Sequence, residues 1–232
     1  MIKAIFIDID GTLRDSDRNL SARTINAVKK VTDNGILVIL CSGRPRKYTE
    51  QISRECFASK YIITSSGGMI YDYEENKVKH ADQEIQLDED IKDFVYNNPV
   101  VQCTIADSDF DKIKNLIPKI DKVENVEIKN RHKSLLDDKF KDDKTVFCDI
   151  ANINSNKGNA VRKLLEILNI PKEDTIAIGD DNNDLSMFEQ VGYTVAVNNA
   201  IDIVKEKSDE ITLSNDEDGV AVYLEKLLKK NK

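Results

Sequence analysis

The chain has 232 residues, 34 basic and 42 acidic side chains, a formal net charge of −8 and 40% hydrophobic content. This mixture excludes collagen-like, low-complexity and wholly disordered classes, and the length suits one large domain or a domain carrying an insertion. The acidic excess argues against a nucleic-acid partner, which would need a Lys/Arg footprint, but leaves room for a small anion met through a local cation.

KAIFID at 3–8 is a short apolar run and reads as a buried strand. Asp8 and Asp10 interrupt the apolar stretch, which a signal-peptide core does not tolerate. A helix follows from Ser21 as N-cap, with Ile25, Val28 and Val31 at helical spacing and Gly35 as a left-handed stop. ILVILC at 36–41 has the continuous apolar character of a strand covered on both faces, and Pro45 suits the first helical position of the next helix. YIIT at 61–64 is a further buried strand, followed by a Ser65–Gly68 turn and MIYDY at 69–73. This alternation predicts an α/β fold with a doubly wound, Rossmann-like parallel sheet.

The texture changes over 82–152, where charged runs such as DDKFKDDK at 137–144 appear. Strands at 100–106, 123–129 and 145–150 alternate apolar and polar positions, which predicts an inserted, small α+β domain of antiparallel type. The first texture then returns. A helix at about 157–169 carries Val161, Leu164, Leu165 and Leu168 on one face. TIAIG at 175–179, YTVAV at 193–197 and a closing amphipathic helix with Val220, Leu224, Leu227 and Leu228 follow. The expected organisation is a core over 1–81 and 153–232 interrupted by an insertion at 82–152, with a frayed Lys-rich tail at 229–232.

No apolar run approaches the roughly 18 residues needed to span a bilayer. Cys41, Cys56, Cys103 and Cys148 are scattered, with no C-x-x-C pair, so reduced buried thiols and a soluble cytoplasmic protein are expected, with no membrane partner. Oligomeric state leaves no mark in the sequence.

Three constellations carry chemistry, the third made of two stretches (Lys157-Gly158 and Ser42–Pro45), each at the carboxyl end of an expected core strand, where ligands of open α/β sheets gather. In DIDGTL at 8–13, Asp8 and Asp10 stand two residues apart, and Gly11 allows a bend that could turn both to the sheet edge; a polar loop with an Asx-turn is the plainer alternative. In GDDNND at 179–184, Asp180, Asp181 and Asp184 lie at a strand-to-helix junction. Helix capping by Asp181 or Asn182 accounts for one of these acids, and oxygen ligands at such density suit Mg²⁺. Lys157-Gly158 opens the helix after the insertion, where a solvated lysine is the alternative to an anion contact. Ser42-Gly43-Arg44-Pro45 precedes a helix N-terminus, so Ser42 serves either as a cap or with the free amides as a phosphate cradle. Converging carboxylates would repel one another and call for a divalent cation, while a cationic Lys157 would hold an incoming anion. Acids, metal and lysine together describe phosphate handling.

With these residues in place, the chain resembles the haloacid dehalogenase-like hydrolase superfamily: DIDGTL looks like its first motif, Ser42 its second, Lys157 its third and GDDNND its fourth. The insertion between the second and third motifs is similar to that of Cof-type phosphatases. It is short for that group and nearer in size to archaeal-type phosphoglycolate phosphatases and sucrose-phosphatase-like enzymes. The resemblance implies Asp8 as nucleophile and Mg²⁺ ligand. It implies Asp10 as the acid and base that serves the leaving alcohol and then water, with its backbone carbonyl on the metal. Thr12 would orient Asp10 or touch phosphate; Ser42, Gly43, Arg44 and Lys157 would bind the phosphoryl group; Asp180 and Asp184 would serve the metal, supported by Asp181 and Asn183. The implied activity is Mg²⁺-dependent hydrolysis of a small phosphorylated metabolite, a sugar phosphate or phosphoglycolate-like compound, through an aspartyl-phosphate. A phosphomutase and a non-catalytic phosphate- or metal-sensing module are the alternatives. Asp10 separates the pattern from dehalogenases. Where the family commonly has Asn-Gly after the third core strand, this chain has Ser65-Ser66-Gly67-Gly68. Arg131, His132 and Lys133 form a small basic cluster that could reach a second anionic group on a substrate, with a solvated loop the expectation, and His80 is expected outside the chemistry.

Overall fold

The computed structural model describes residues 1–81, 102–107, 109–133 and 146–230. They form two compact units, Met1–His80 with Asn156–Lys232, and Ala81–Ser155. In chain order, the first unit begins with β1 (Ala4–Asp8), α1 (Ala22–Asp33), β2 (Leu37–Cys41), α2 (Arg46–Glu55), β3 (Tyr61–Thr64), β4 (Met69–Asp72) and β5 (Lys77–Ala81). The second holds β6 (Gln102–Asp107), α3 (Phe110–Ile120), β7 (Val126–Lys133) and β8 (Val146–Asn152). The first unit resumes with α4 (Lys157–Leu168), β9 (Thr175–Gly179), α5 (Asn182–Phe188), β10 (Tyr193–Ala196), α6 (Asp202–Glu206), β11 (Glu210–Ile211) and α7 (Gly219–Lys230).

The large sheet runs β11-β10-β9-β1-β2-β3-β4-β5. From β11 to β3 every pairing is parallel. The chain winds outward from β1 in both directions, so β1 and its neighbours are covered on both faces. That is why Ile5, Phe6, Ile7, Val38, Ile39, Leu40, Ala177 and Ile178 have no exposed surface. Helix α1 starts where the Ser21 hydroxyl accepts the Thr24 amide at 3.0 Å, buries Ala27, Val28 and Val31, and is followed by Gly35 at φ +78°. Helix α4 buries Val161, Leu164 and Leu165.

Several expectations need correction. Pro45 sits one residue ahead of α2, at the cap position with ψ 157°, rather than in the first turn. β4, whose direction the sequence reading left open, pairs with β3 antiparallel, because the four-residue connection Ser65–Gly68 is too short for a parallel crossover. Arg131, His132 and Lys133 are not in a loop: a register shift between Ile128 and Asn130 carries β7 on, and they pair with Cys148, Phe147 and Val146. Lys229 and Lys230 close α7 rather than fray, as suits cations at a helix C-terminus. The run at 137–144 and residues 231–232 lie outside the described residues.

Within the second unit, β6-β8-β7 is an antiparallel sheet. Ile113 and Ile120 of α3 pack with Cys148 and Ile150 of β8. None of the four cysteines is in a disulfide; Cys41, Cys56 and Cys148 are buried and Cys103 is half-buried. Among the described residues no helix is long and apolar enough to cross a membrane.

Candidate active site

Strands β9, β1, β2 and β3 lie side by side and end together, with Asp8 in register with Cys41 and Ile7 with Ile178. Their carboxyl ends therefore set Asp180, Asp8, Ser42 and Ser65 along one edge, where strand order reverses around β1.

The Lys157 side chain, only 2% exposed, lies between two acids: its Nζ donates to Asp8 and, at 2.7 Å, to Asp184 Oδ1. Asn183 Oδ1 is a third acceptor at 3.3 Å. Burial works against the ammonium, but Asp184 and Asp8 outweigh it and hold the pKa above the ordinary lysine value. The other Asp184 oxygen accepts the amides of Asp180 at 2.9 Å and Asp181 at 3.1 Å. Asp181 in turn caps α5, accepting the Asn182 amide at 2.7 Å, so Asp181 is exposed helix-capping structure while the buried Asp184 joins cap and lysine.

Asp180 accepts the Thr12 hydroxyl at 2.6 Å. Thr12 therefore orients Asp180, not Asp10: the turn after Asp10 carries its buried side chain toward β9. Gly11 makes this approach feasible, since at φ +91° a Cβ there would fall inside the Asp180 carboxylate. The Gly11 carbonyl accepts Asn199 Nδ2 at 2.8 Å. Burial pushes Asp180 up to about 6; the Thr12 hydrogen bond opposes this and Asp184 adds to it. Burial also raises Asp8 well above the ordinary carboxylate value, with Lys157 opposing and Asp184 and Asp180 reinforcing the rise.

Carboxylate oxygens of Asp8, Asp180 and Asp184 lie within 4.8 Å of one another. Three acids face one ammonium, so the cluster carries more negative charge than Lys157 balances. Hard oxygen donors with surplus charge fit a divalent cation of the Mg²⁺ type.

Asp10 does not join this cluster through its carboxylate. Arg44 Nε lies 3.0 Å from Oδ2, and the Tyr48 hydroxyl donates to Oδ1 at 3.3 Å. Tyr48 in turn accepts Arg14 Nη1. Burial and then the Asp10 charge raise the Tyr48 phenol, which keeps it a donor. Arg44 thus sits on Asp10. The buried Ser42 hydroxyl accepts the Arg44 amide at 3.1 Å, while Gly43 faces Ser66, whose oxygen a Cβ on Gly43 would meet at 3.4 Å. The turn after β3 adopts positive φ at Ser65, Ser66 and Gly67 and is stitched to this loop by Ser65 N to Arg44 O and Ser66 N to Ser42 O. A side chain on Gly67 would overlap the Asn156 carbonyl just before α4. Arg14, Tyr48 and Asn199 are the site residues that sequence reasoning missed.

A family model for haloacid dehalogenase-like hydrolases matches residues 5–110 and 83–224. The chain belongs to that family and is an enzyme of its phosphatase class. Phosphoglycolate phosphatase 1 of Saccharolobus solfataricus is 30% identical, covering 99% of this chain and 97% of its own. The 5-amino-6-(5-phospho-D-ribitylamino)uracil phosphatase YwtE of Bacillus subtilis is 29% identical, with 98% of each chain covered. A haloacid dehalogenase-like hydrolase from Bacteroides thetaiotaomicron shares the fold, with a TM-score of 0.81 at 24% identity over 98% of this chain and 100% of that one.

Proposed function

We propose that the protein is a Mg²⁺-dependent phosphomonoesterase acting on a small phosphorylated metabolite through an aspartyl-phosphate at Asp8. The observation that carries this reading is the buried Lys157 ammonium held between Asp8 and Asp184, with Asp180 completing three mutually close carboxylates. Asp8, Asp180 and Asp184 would hold Mg²⁺, aided by the Asp10 carbonyl. Bound there, Mg²⁺ would neutralise the carboxylates and the phosphoryl oxygens they face.

The chain's own residues supply the rest. Lys157, Ser42 and Gly43 bind the phosphoryl group and orient it toward Asp8, while the Arg44 side chain stays on Asp10. The Asp8 carboxylate attacks phosphorus, and the bond to the leaving oxygen breaks as Asp10 gives that oxygen a proton. Asp10 then takes a proton from water, whose oxygen attacks phosphorus, releasing inorganic phosphate and restoring the Asp8 carboxylate. Thr12 fixes Asp180 so that it faces Asp8. We assign these steps to the core, residues 1–81 and 153–232, and a share of substrate selection to the inserted 82–152.

The test is release of inorganic phosphate from p-nitrophenyl phosphate and a panel of phosphometabolites. Release that requires Mg²⁺, and that Asp8→Asn abolishes, is expected. No release from any of them with Mg²⁺ present overturns the reading.

A further inference from the structure

Two guanidiniums, those of Arg44 and Arg14, stand beside the single Asp10 carboxylate. Arg44 pairs with it at 3.0 Å. Arg14, two hydrogen bonds away through Tyr48, forms no ion pair among the described residues; its side chain is tied to the Tyr48 hydroxyl. Both guanidiniums flank the same ring, 5.8 Å and 5.5 Å from its centroid for Arg14 and Arg44.

Arg14 is also held by its backbone. Its amide donates to the Ile9 carbonyl at 3.1 Å, and its carbonyl accepts Asn215 Nδ2 at 3.0 Å. A backbone bridge links it to Asp10 across the turn. The turn that presents Asp10 therefore presents Arg14 too, in a fixed place, with a half-buried cation that forms no ion pair among the described residues. Such a group is preorganised for an anion from outside the chain.

In the reaction proposed above, Asp10 protonates the leaving oxygen, so groups around its carboxylate face the leaving group rather than the transferred phosphoryl. We propose that Arg14, steadied by Tyr48 and accompanied by Arg44, forms a subsite for a second anionic group on the substrate's leaving side, a carboxylate or a further phosphate. The inference rests on the role given to Asp10 and deepens it into a substrate class: phosphomonoesters whose leaving alcohol is itself an anion.

Three compounds separate the cases: ethyl phosphate with a neutral leaving group, phosphoglycolate with a carboxylate, and ethanediol bisphosphate with a second phosphate. The wild-type KM for at least one anionic compound should lie about tenfold or more below that for ethyl phosphate. The arm that shows the gap identifies the anion. Arg14→Gln should shrink the gap to about twofold or less, and Arg14→Lys should restore part of it. Calorimetric binding of the three compounds to the Asp8→Asn protein should follow the same order. Equal KM values in the wild type, or a gap that survives Arg14→Gln, overturns the subsite. If the wild type still hydrolyses p-nitrophenyl phosphate in that event, the phosphatase reading stands; hydrolysis of none of these four compounds and none of the phosphometabolite panel overturns both.

Discussion

A methyl group at Gly179 would come within 2.6 Å of the Asp184 Cβ and carboxylate. Asp184 cannot retreat without releasing Lys157 and the two amides it accepts, so Gly179→Ala should destabilise the protein by about 2 kcal/mol or more. Thermal unfolding checks this, and an unchanged melting temperature would contradict it. Thr12→Val removes the hydroxyl that orients Asp180 and should weaken Mg²⁺ binding by about tenfold in a calorimetric titration. At this scale the sequence was legible where residue types are unusual in combination: the D-x-D-G-T string, the acid-rich 179–184 run, and Lys157 at a helix start. It was silent on which acid Thr12 would meet, since spacing along a turn does not say which neighbouring strand the side chain reaches. Arg14, Tyr48 and Asn199 gave no signal at all. Each is a common residue type whose contacts cross the chain, as Tyr48 does to Asp10 and Asn199 to Gly11.

Core strands were legible as elements because burial on both faces demands unbroken apolar runs. β11 was not, being two residues long, and the direction of β4 lay in the short Ser65–Gly68 turn before it, not in its own apolar pattern, which reads alike in either. The turn from β4 into β5 depends on Asp72, whose fully buried side chain accepts the amides of Glu74 at 3.1 Å and Glu75 at 3.0 Å and pairs with Lys60 at 3.0 Å. Burial alone would raise its pKa; the Glu75 amide, Lys60 and the Glu74 amide outweigh that and hold it below the ordinary value. A carboxyl with a depressed folded-state pKa stabilises the fold above its unfolded pKa and loses that contribution as pH falls through the folded value. Asp72→Asn should therefore cost about 1–2 kcal/mol near neutral pH. The gap from wild type should start to close as pH falls below about 4, the ordinary carboxyl value, and go on closing toward the acid end. Denaturant melts across that range test it, and a gap that stays constant to the acid end would contradict the assignment.

For the whole molecule, the net charge of −8 matters less than where three of its acids stand. Asp180, pushed up to about 6, keeps a proton in the metal-free folded chain that the unfolded chain has lost above about pH 4. Its contribution to stability thus falls as pH rises from about 4 to 6, the reverse of Asp72. A divalent cation removes that penalty. Mg²⁺ at ten to a hundred times its dissociation constant should stabilise the fold by about 1–3 kcal/mol. The rise in melting temperature should be larger above pH 7 than near pH 5, because protons compete for the same oxygens. An equal rise at both would show that the acids do not gather the metal. The central claim is the covalent step, and acid-quenching the enzyme during turnover of a phosphomonoester with Mg²⁺, followed by peptide mass spectrometry, tests it most directly. The expected result is one phosphoryl group on the peptide carrying Asp8, absent in Asp8→Asn; steady hydrolysis with no label on Asp8, or with the label on another residue, would contradict the account.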